Sequence, residues 1–143
     1  MNNSSEFYSI AIKYCSLIET TSKFEILNFR ELLLLLSDIY NKALLLPNVE
    51  PTEEFETEVE RILVSFGDFD IYWEVHNPYE CEEPVCGSLS DDFGDIYQEL
   101  KTGVILYENG LINDAVWNWK WSFDNHWSYH LTDAIRALNQ FMR

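Results

Sequence analysis

The chain has 143 residues and a formal net charge of −16, with 47% hydrophobic and 15% aromatic residues. That length and apolar content suit one folded domain with its own core, and they exclude bulk disorder. So acidic a surface repels phosphate backbones, which argues against nucleic acid; it serves solubility first, and it would steer an unidentified protein partner of basic character inward.

No apolar run reaches bilayer-spanning length, so no membrane association is expected. The opening MNNSSEF has no basic segment leading an apolar one, and the protein is therefore expected in the cytoplasm. The three cysteines, Cys15, Cys81 and Cys86, form no disulfide framework. The five-residue step from Cys81 to Cys86 is not a zinc-knuckle spacing.

From about residue 5 to 19, Phe7, Ile10, Ala11, Tyr14, Leu17 and Ile18 recur at helical spacing and predict a first helix. Ser22 with Glu25 and Asn28 with Glu31 are two capping-box patterns, of which Ser22 is the preferred start of the second helix. That helix runs through FRELLLLLSDIYNKALLL to Pro47, and so many leucines predict burial on most sides and a central place. A third, acidic helix is expected over 52–66, capped by Thr52 and burying Phe55, Val59, Ile62, Leu63 and Phe66.

Residues 68–87 show no sustained period and read as a long ordered loop carrying Tyr72, Trp73, His76 and Tyr79. Ser88 with Asp91 opens the fourth helix, which Asn109-Gly110 closes. The final helix is expected from about 111 to 142, with a bend at Asp124-Asn125. Its stripe is Val116, Trp119, Phe123, Trp127, His130, Ala134, Leu138 and Phe141. The connection is so short that the last two helices should form a hairpin. The expected fold is a single all-α domain over 1–143, roughly a five-helix bundle with the long loop before the fourth helix.

On the fourth helix Asp92, Asp95 and Glu99 stand at i, i+3, i+7. On the fifth, His126 and His130 are one turn apart. Carboxylates and imidazoles on facing helices are how bundles build metal sites, and an open site activates water. The competing reading is a solvated acidic face, with Asp95 and Glu99 paired to Lys101 or Arg136. No His-Glu-x-x-His, Glu-x-x-His, phosphate-cradling glycine loop or Gly-x-Ser-x-Gly is present.

The segment GSLSDDFGDIYQELK (87–101), then FDNHW and AIRALNQF, resembles a bacterial family described only as domain of unknown function 5063. The matching positions are Ser88, Ser90, Asp91, Asp92, Asp95, Ile96, Tyr97, Gln98 and Lys101, then Trp127, Arg136, Ala137 and Leu138. Leu44-Leu45-Leu46-Pro47 resembles the Leu-Pro end of the family's early helix. The chain departs at Ser128, where the pattern has glycine, and His126 and His130 are not positions the pattern requires. The resemblance implies an all-α fold and no known activity.

The leading functional expectation is a non-enzymatic cytoplasmic interaction domain. It would use an acidic face and the aromatic residues Trp73, Tyr79, Trp117 and Trp121, without a cofactor. The alternative is a metal-dependent hydrolase holding a divalent ion with Asp92, Asp95, Glu99, His126 and His130. The two are separated by whether those five side chains converge on one open cavity.

Overall fold

A computed structural model describes residues 2–52 and 56–142. Helix α1 spans Asn3–Thr20, with the Asn2 side chain accepting from the Ser5 backbone at 2.8 Å. It buries Phe7, Ile10, Ala11, Tyr14, Cys15 and Ile18, the expected stripe. Helix α2 spans Phe29–Leu44, so it begins at the later of the two capping patterns. Ser22 does not start it because 22–24 pair with another segment. Ser65 N donates to Ser22 O at 3.0 Å and Phe24 N to Ser65 O at 2.9 Å.

The leucine run is amphipathic rather than buried all round. Leu32, Leu35 and Leu36 are inside, while Leu34 is 67% and Leu44 59% exposed. Nor is α2 central. It packs on α1 and on the last helix, whereas α3 (Leu89–Glu108) packs on α1 and on both helices that come after it.

The helix expected over 52–66 is not formed among its described residues, and 56–66 carry no regular element beyond a bridge between Ser65 and Lys23. Phe55 lies outside the described residues. The Thr52 backbone N and Oγ1 donate to Asp114 at 3.0 and 2.7 Å. The failure has a local reason. Ile62, Val64 and Phe66 alternate inward at period two, and Leu63 between them is 62% exposed. β-Branched residues suit that alternating, half-buried arrangement.

This strap lies along α3, and the Asp-Ile-Tyr-Gln motif holds it. Gln98 Nε2 donates to Val59 O at 2.7 Å and Ser90 Oγ to Val64 O at 2.5 Å. Arg61 of the strap pairs with Asp91 and, through Nε at 2.8 Å, with Asp95. Gly94 permits the approach, since a Cβ there would meet Leu63 Cδ2 at 3.0 Å and Ile62 O at 3.2 Å.

The long loop contains a hairpin. Strand β1 (Ile71–Glu74) pairs antiparallel with β2 (Val85–Ser88), in the register Tyr72 with Gly87 and Glu74 with Val85. Ser88 then caps α3, accepting from Asp91 N at 3.2 Å. After the turn at Gly110, helix α4 (Ile112–Ser122) folds back on α3, as the short connection requires. It continues through a π-helical turn, Phe123–Trp127, into α5 (Ser128–Asn139).

The expectation of about five helices is slightly off: among the described residues α4 and α5 form one run, which leaves four helices. One predicted helix is an irregular strap, and the last is divided by the π turn at the expected bend. Phe7, Trp119, Trp127 and Leu100 lie in the core, with Trp119 Nε1 donating to Leu100 O at 3.0 Å and Trp127 Nε1 to Ser122 Oγ at 3.1 Å. Buried indoles thereby satisfy their one donor.

Candidate metal centre

The π turn sets the phase of α5. It admits an extra residue per turn, so the buried stripe passes from Trp127 to Leu131, Ala134 and Leu138 rather than through His130. Leu131 is fully buried and Phe141 is 41% exposed, which corrects both positions of the predicted stripe. His126 and His130 are thereby left at the edge of the core, facing α3.

The five candidate residues come together there. His130 Nδ1 lies 2.7 Å from Asp92 Oδ1, and its Nε2 lies 2.9 Å from Asp95 Oδ2. His126 Nε2 lies 3.7 Å from the same Asp95 oxygen, and its Nδ1 lies 3.6 Å from Glu99 Oε1. The two rings are nearly perpendicular, with centroids 4.9 Å apart. Both imidazoles therefore turn Nε2 toward one carboxylate oxygen and Nδ1 toward a carboxylate of their own. In metalloproteins an outer carboxylate on one ring nitrogen fixes the tautomer and directs the other nitrogen to the ion.

Residues outside the predicted set complete the surroundings. Tyr72 donates its hydroxyl to Asp92 Oδ2, so both oxygens of this carboxylate (4% exposed) are engaged. Tyr72 gets there by passing over Gly87, where a Cβ would fall 2.5 Å from the ring. Arg61 holds the outer oxygen of Asp95, leaving Oδ2 for the histidines. The expected partners Lys101 and Arg136 are not used: Lys101 pairs with Glu19 at 2.9 Å. A helical reading of 52–66 hides Arg61, and a loop reading of 68–87 hides Tyr72. The signal in the sequence for the hairpin is the run of strand-forming residues Ile71-Tyr72-Trp73.

The electrostatics result from this packing. The Asp92 hydrogen bond, aided by the charges of Asp92 and Asp95, raises His130 above its usual value despite burial. Burial raises Asp92 against the opposing bonds from His130 and Tyr72. His130 thus sets Nδ1 against one carboxylate and Nε2 against another, an arrangement that favours the protonated ring. Nearby, burial and a hydrogen bond with Asp133 push Glu74 up to about 8.

Asp95, His126 and His130 each offer one ligand atom, all within 4.8 Å of one another. A tetrahedral ion with bonds of ~2.0–2.1 Å needs ligand atoms about 3.3 Å apart, and the observed 2.9 and 3.7 Å straddle that separation. The cluster opens on a cleft of about 670 Å³ lined by His76, Asn77, Tyr79, Asn125, Tyr129 and the two histidines.

Of the aromatic candidates, only Tyr79 lines this cleft, and it is 96% exposed. Trp73 is 70% exposed on β1, while Trp117 and Trp121 stack on each other at 5.9 Å on α4, away from the cleft.

The profile of the family described as domain of unknown function DUF5063 matches residues 1–142. The chain belongs to this family. Another chain of the same shape is the crystal structure of protein BF1032 from Bacteroides fragilis, 22% identical, with a TM-score of 0.77 over 99% of this chain and 93% of that one. At that identity the likeness shows the fold alone. No curated protein matches the chain significantly. For the family motif the geometry supplies physical roles in this chain. Ser88 caps α3, Ser90 and Gln98 hold the strap, and Asp92 and Asp95 bracket His130.

Proposed function

We propose that this protein binds one divalent transition metal, zinc foremost, through Asp95, His126 and His130, and that it acts as a metal-dependent hydrolase. The observation that carries this reading is the common aim of two Nε2 atoms at Asp95 Oδ2, each ring backed by its own carboxylate. Nitrogen and oxygen donors in a three-residue set suit zinc and leave a position for water. Bound there, the metal would lower the pKa of a water enough to make it a nucleophile near neutral pH. Asp92 and Glu99 would orient the rings, Arg61 would hold Asp95, and the surrounding carboxylates would draw in the cation.

The test is metal content of untagged protein by mass spectrometry, with melting curves before and after added zinc or manganese. Stoichiometric metal, with a rise in Tm that His130→Ala removes, supports the reading. A metal-free protein whose Tm ignores every divalent ion overturns it.

A second reading keeps the protein as an acidic, cytoplasmic interaction domain. The stacked, solvent-facing pair Trp117 and Trp121 favours it, since paired exposed indoles make good anchors for a basic partner. Free thiols at Cys15, Cys81 and Cys86 suit a reducing compartment. No helix among the described residues is long and apolar enough to cross a membrane.

A further inference from the structure

The chain has only three histidines, and all three line one cleft. Two belong to the cluster just described. The third, His76, comes after β1 and stands outside the group of converging ligand atoms. Its side chain makes no hydrogen bond or ion pair among the described residues. The segment carrying it is compact: Tyr79 N donates to Asn77 Oδ1 at 3.0 Å and Glu80 N to Asn77 O at 3.1 Å.

The chain leaving β1 brings it to the cleft. Tyr72 and Glu74 share one face of β1, and His76 stands at a bend two residues past the end of that strand. Tyr72 reaches Asp92, which holds His130. Glu74 interacts with Asp133, one turn beyond His130 on α5. His76 comes next, where the cleft wall is Asn125, His126 and Tyr129. Thus β1 runs beside the cluster and delivers an exposed imidazole to its open side.

We propose that His76 is a third imidazole ligand, carried onto the ion by the 75–84 loop when metal binds, so that the loop controls the fourth coordination position. The proposal rests on the metal reading above. With His76 engaged the donor set is three nitrogens and one oxygen, a filled tetrahedron. With His76 withdrawn the position is open to water and substrate. A saturated site and a catalytic one differ in just this respect.

The test uses cobalt(II) as a spectroscopic substitute for zinc in the full chain, with wild type, His76→Ala and His130→Ala compared. Affinity is read by competition with a chromophoric chelator. Wild type should give the intense visible absorption of four-coordinate cobalt. His76→Ala should bind at least about tenfold more weakly, the lower end of what losing even an outer-shell partner costs. Its band should weaken as water raises the coordination number, and added azide should perturb its spectrum but not that of wild type. His76 is exposed, so the apo melting curve of that variant should match wild type. If His76→Ala keeps wild-type affinity and spectrum while His130→Ala loses both, the role of His76 is refuted and the three-residue site stands. If wild type binds no cobalt, both readings fall.

Discussion

Replacing Asp92 by Asn separates an orienting role from a merely structural one. Asp92 is 4% exposed and accepts from the Tyr72 hydroxyl and from His130 Nδ1 at 2.7 Å. Asn keeps the shape and removes the charge. Its carbonyl can still accept from His130, and its amide can donate to the Tyr72 oxygen. Two charge-assisted bonds thus become two neutral ones, a loss of about 1 kcal/mol each. The variant also no longer buries a carboxylate, whose desolvation cost is of similar or larger size and acts in the opposite sense. The two effects oppose each other, so apo stability in urea should change by no more than about 1 kcal/mol. Metal affinity should not be spared in this way. An outer-shell carboxylate is worth about ten- to hundredfold, or about 1.4–2.7 kcal/mol. Zinc competition titrations and urea melts on the same samples measure both quantities. The reasoning fails if zinc affinity stays within about twofold of wild type while the apo protein loses several kcal/mol.

Other positions give independent checks. A Cβ on Gly103 would fall 1.9 Å from Trp119 Nε1 and displace the indole from Leu100 O, so Gly103→Ala should cost about 2–5 kcal/mol by overpacking plus a lost buried bond. Gly110→Ala, at φ +82° with nothing within 4 Å, should cost only the backbone strain of about 1–2 kcal/mol, and urea midpoints should rank the two accordingly. Because His130 holds its proton more tightly folded than unfolded, its stabilising contribution is full below 6.5 and is lost as pH rises through the raised folded value. The apo Tm should therefore fall across that window, less so in His130→Gln, while zinc affinity rises over the same range as the Nε2 proton leaves. Gly94→Val should lift the strap and draw Arg61 from Asp95, seen as faster proteolysis within 56–66 with α3 intact. If the interaction reading holds, Trp117→Ala with Trp121→Ala should lose a basic partner in pull-downs without affecting metal content.

The sequence by itself determined the inner face of the first helix, through spacings of three and four, and the start of α3, through Ser88 with Asp91. Asp92, Asp95, Glu99, His126 and His130 were legible as a facing set because two helical spacings joined by a turn at Gly110 leave few ways to meet. Periodicity misleads over 52–66, where an acidic stretch admits both periods and only the floor offered by Gly94, Ser90 and Gln98 selects the shorter one. Tertiary structure alone decided that the π turn would pass burial from His130 to Leu131 and leave both imidazoles on the cleft. It also decided which groups surround them. Arg61, Tyr72 and His76 come from the strap and the hairpin, well before the carboxylates of α3 in the chain, and their arrival depends on packing that no local pattern encodes. Local periodicity fixes which residues share a face. Only the packing of one face against another fixes what that face meets.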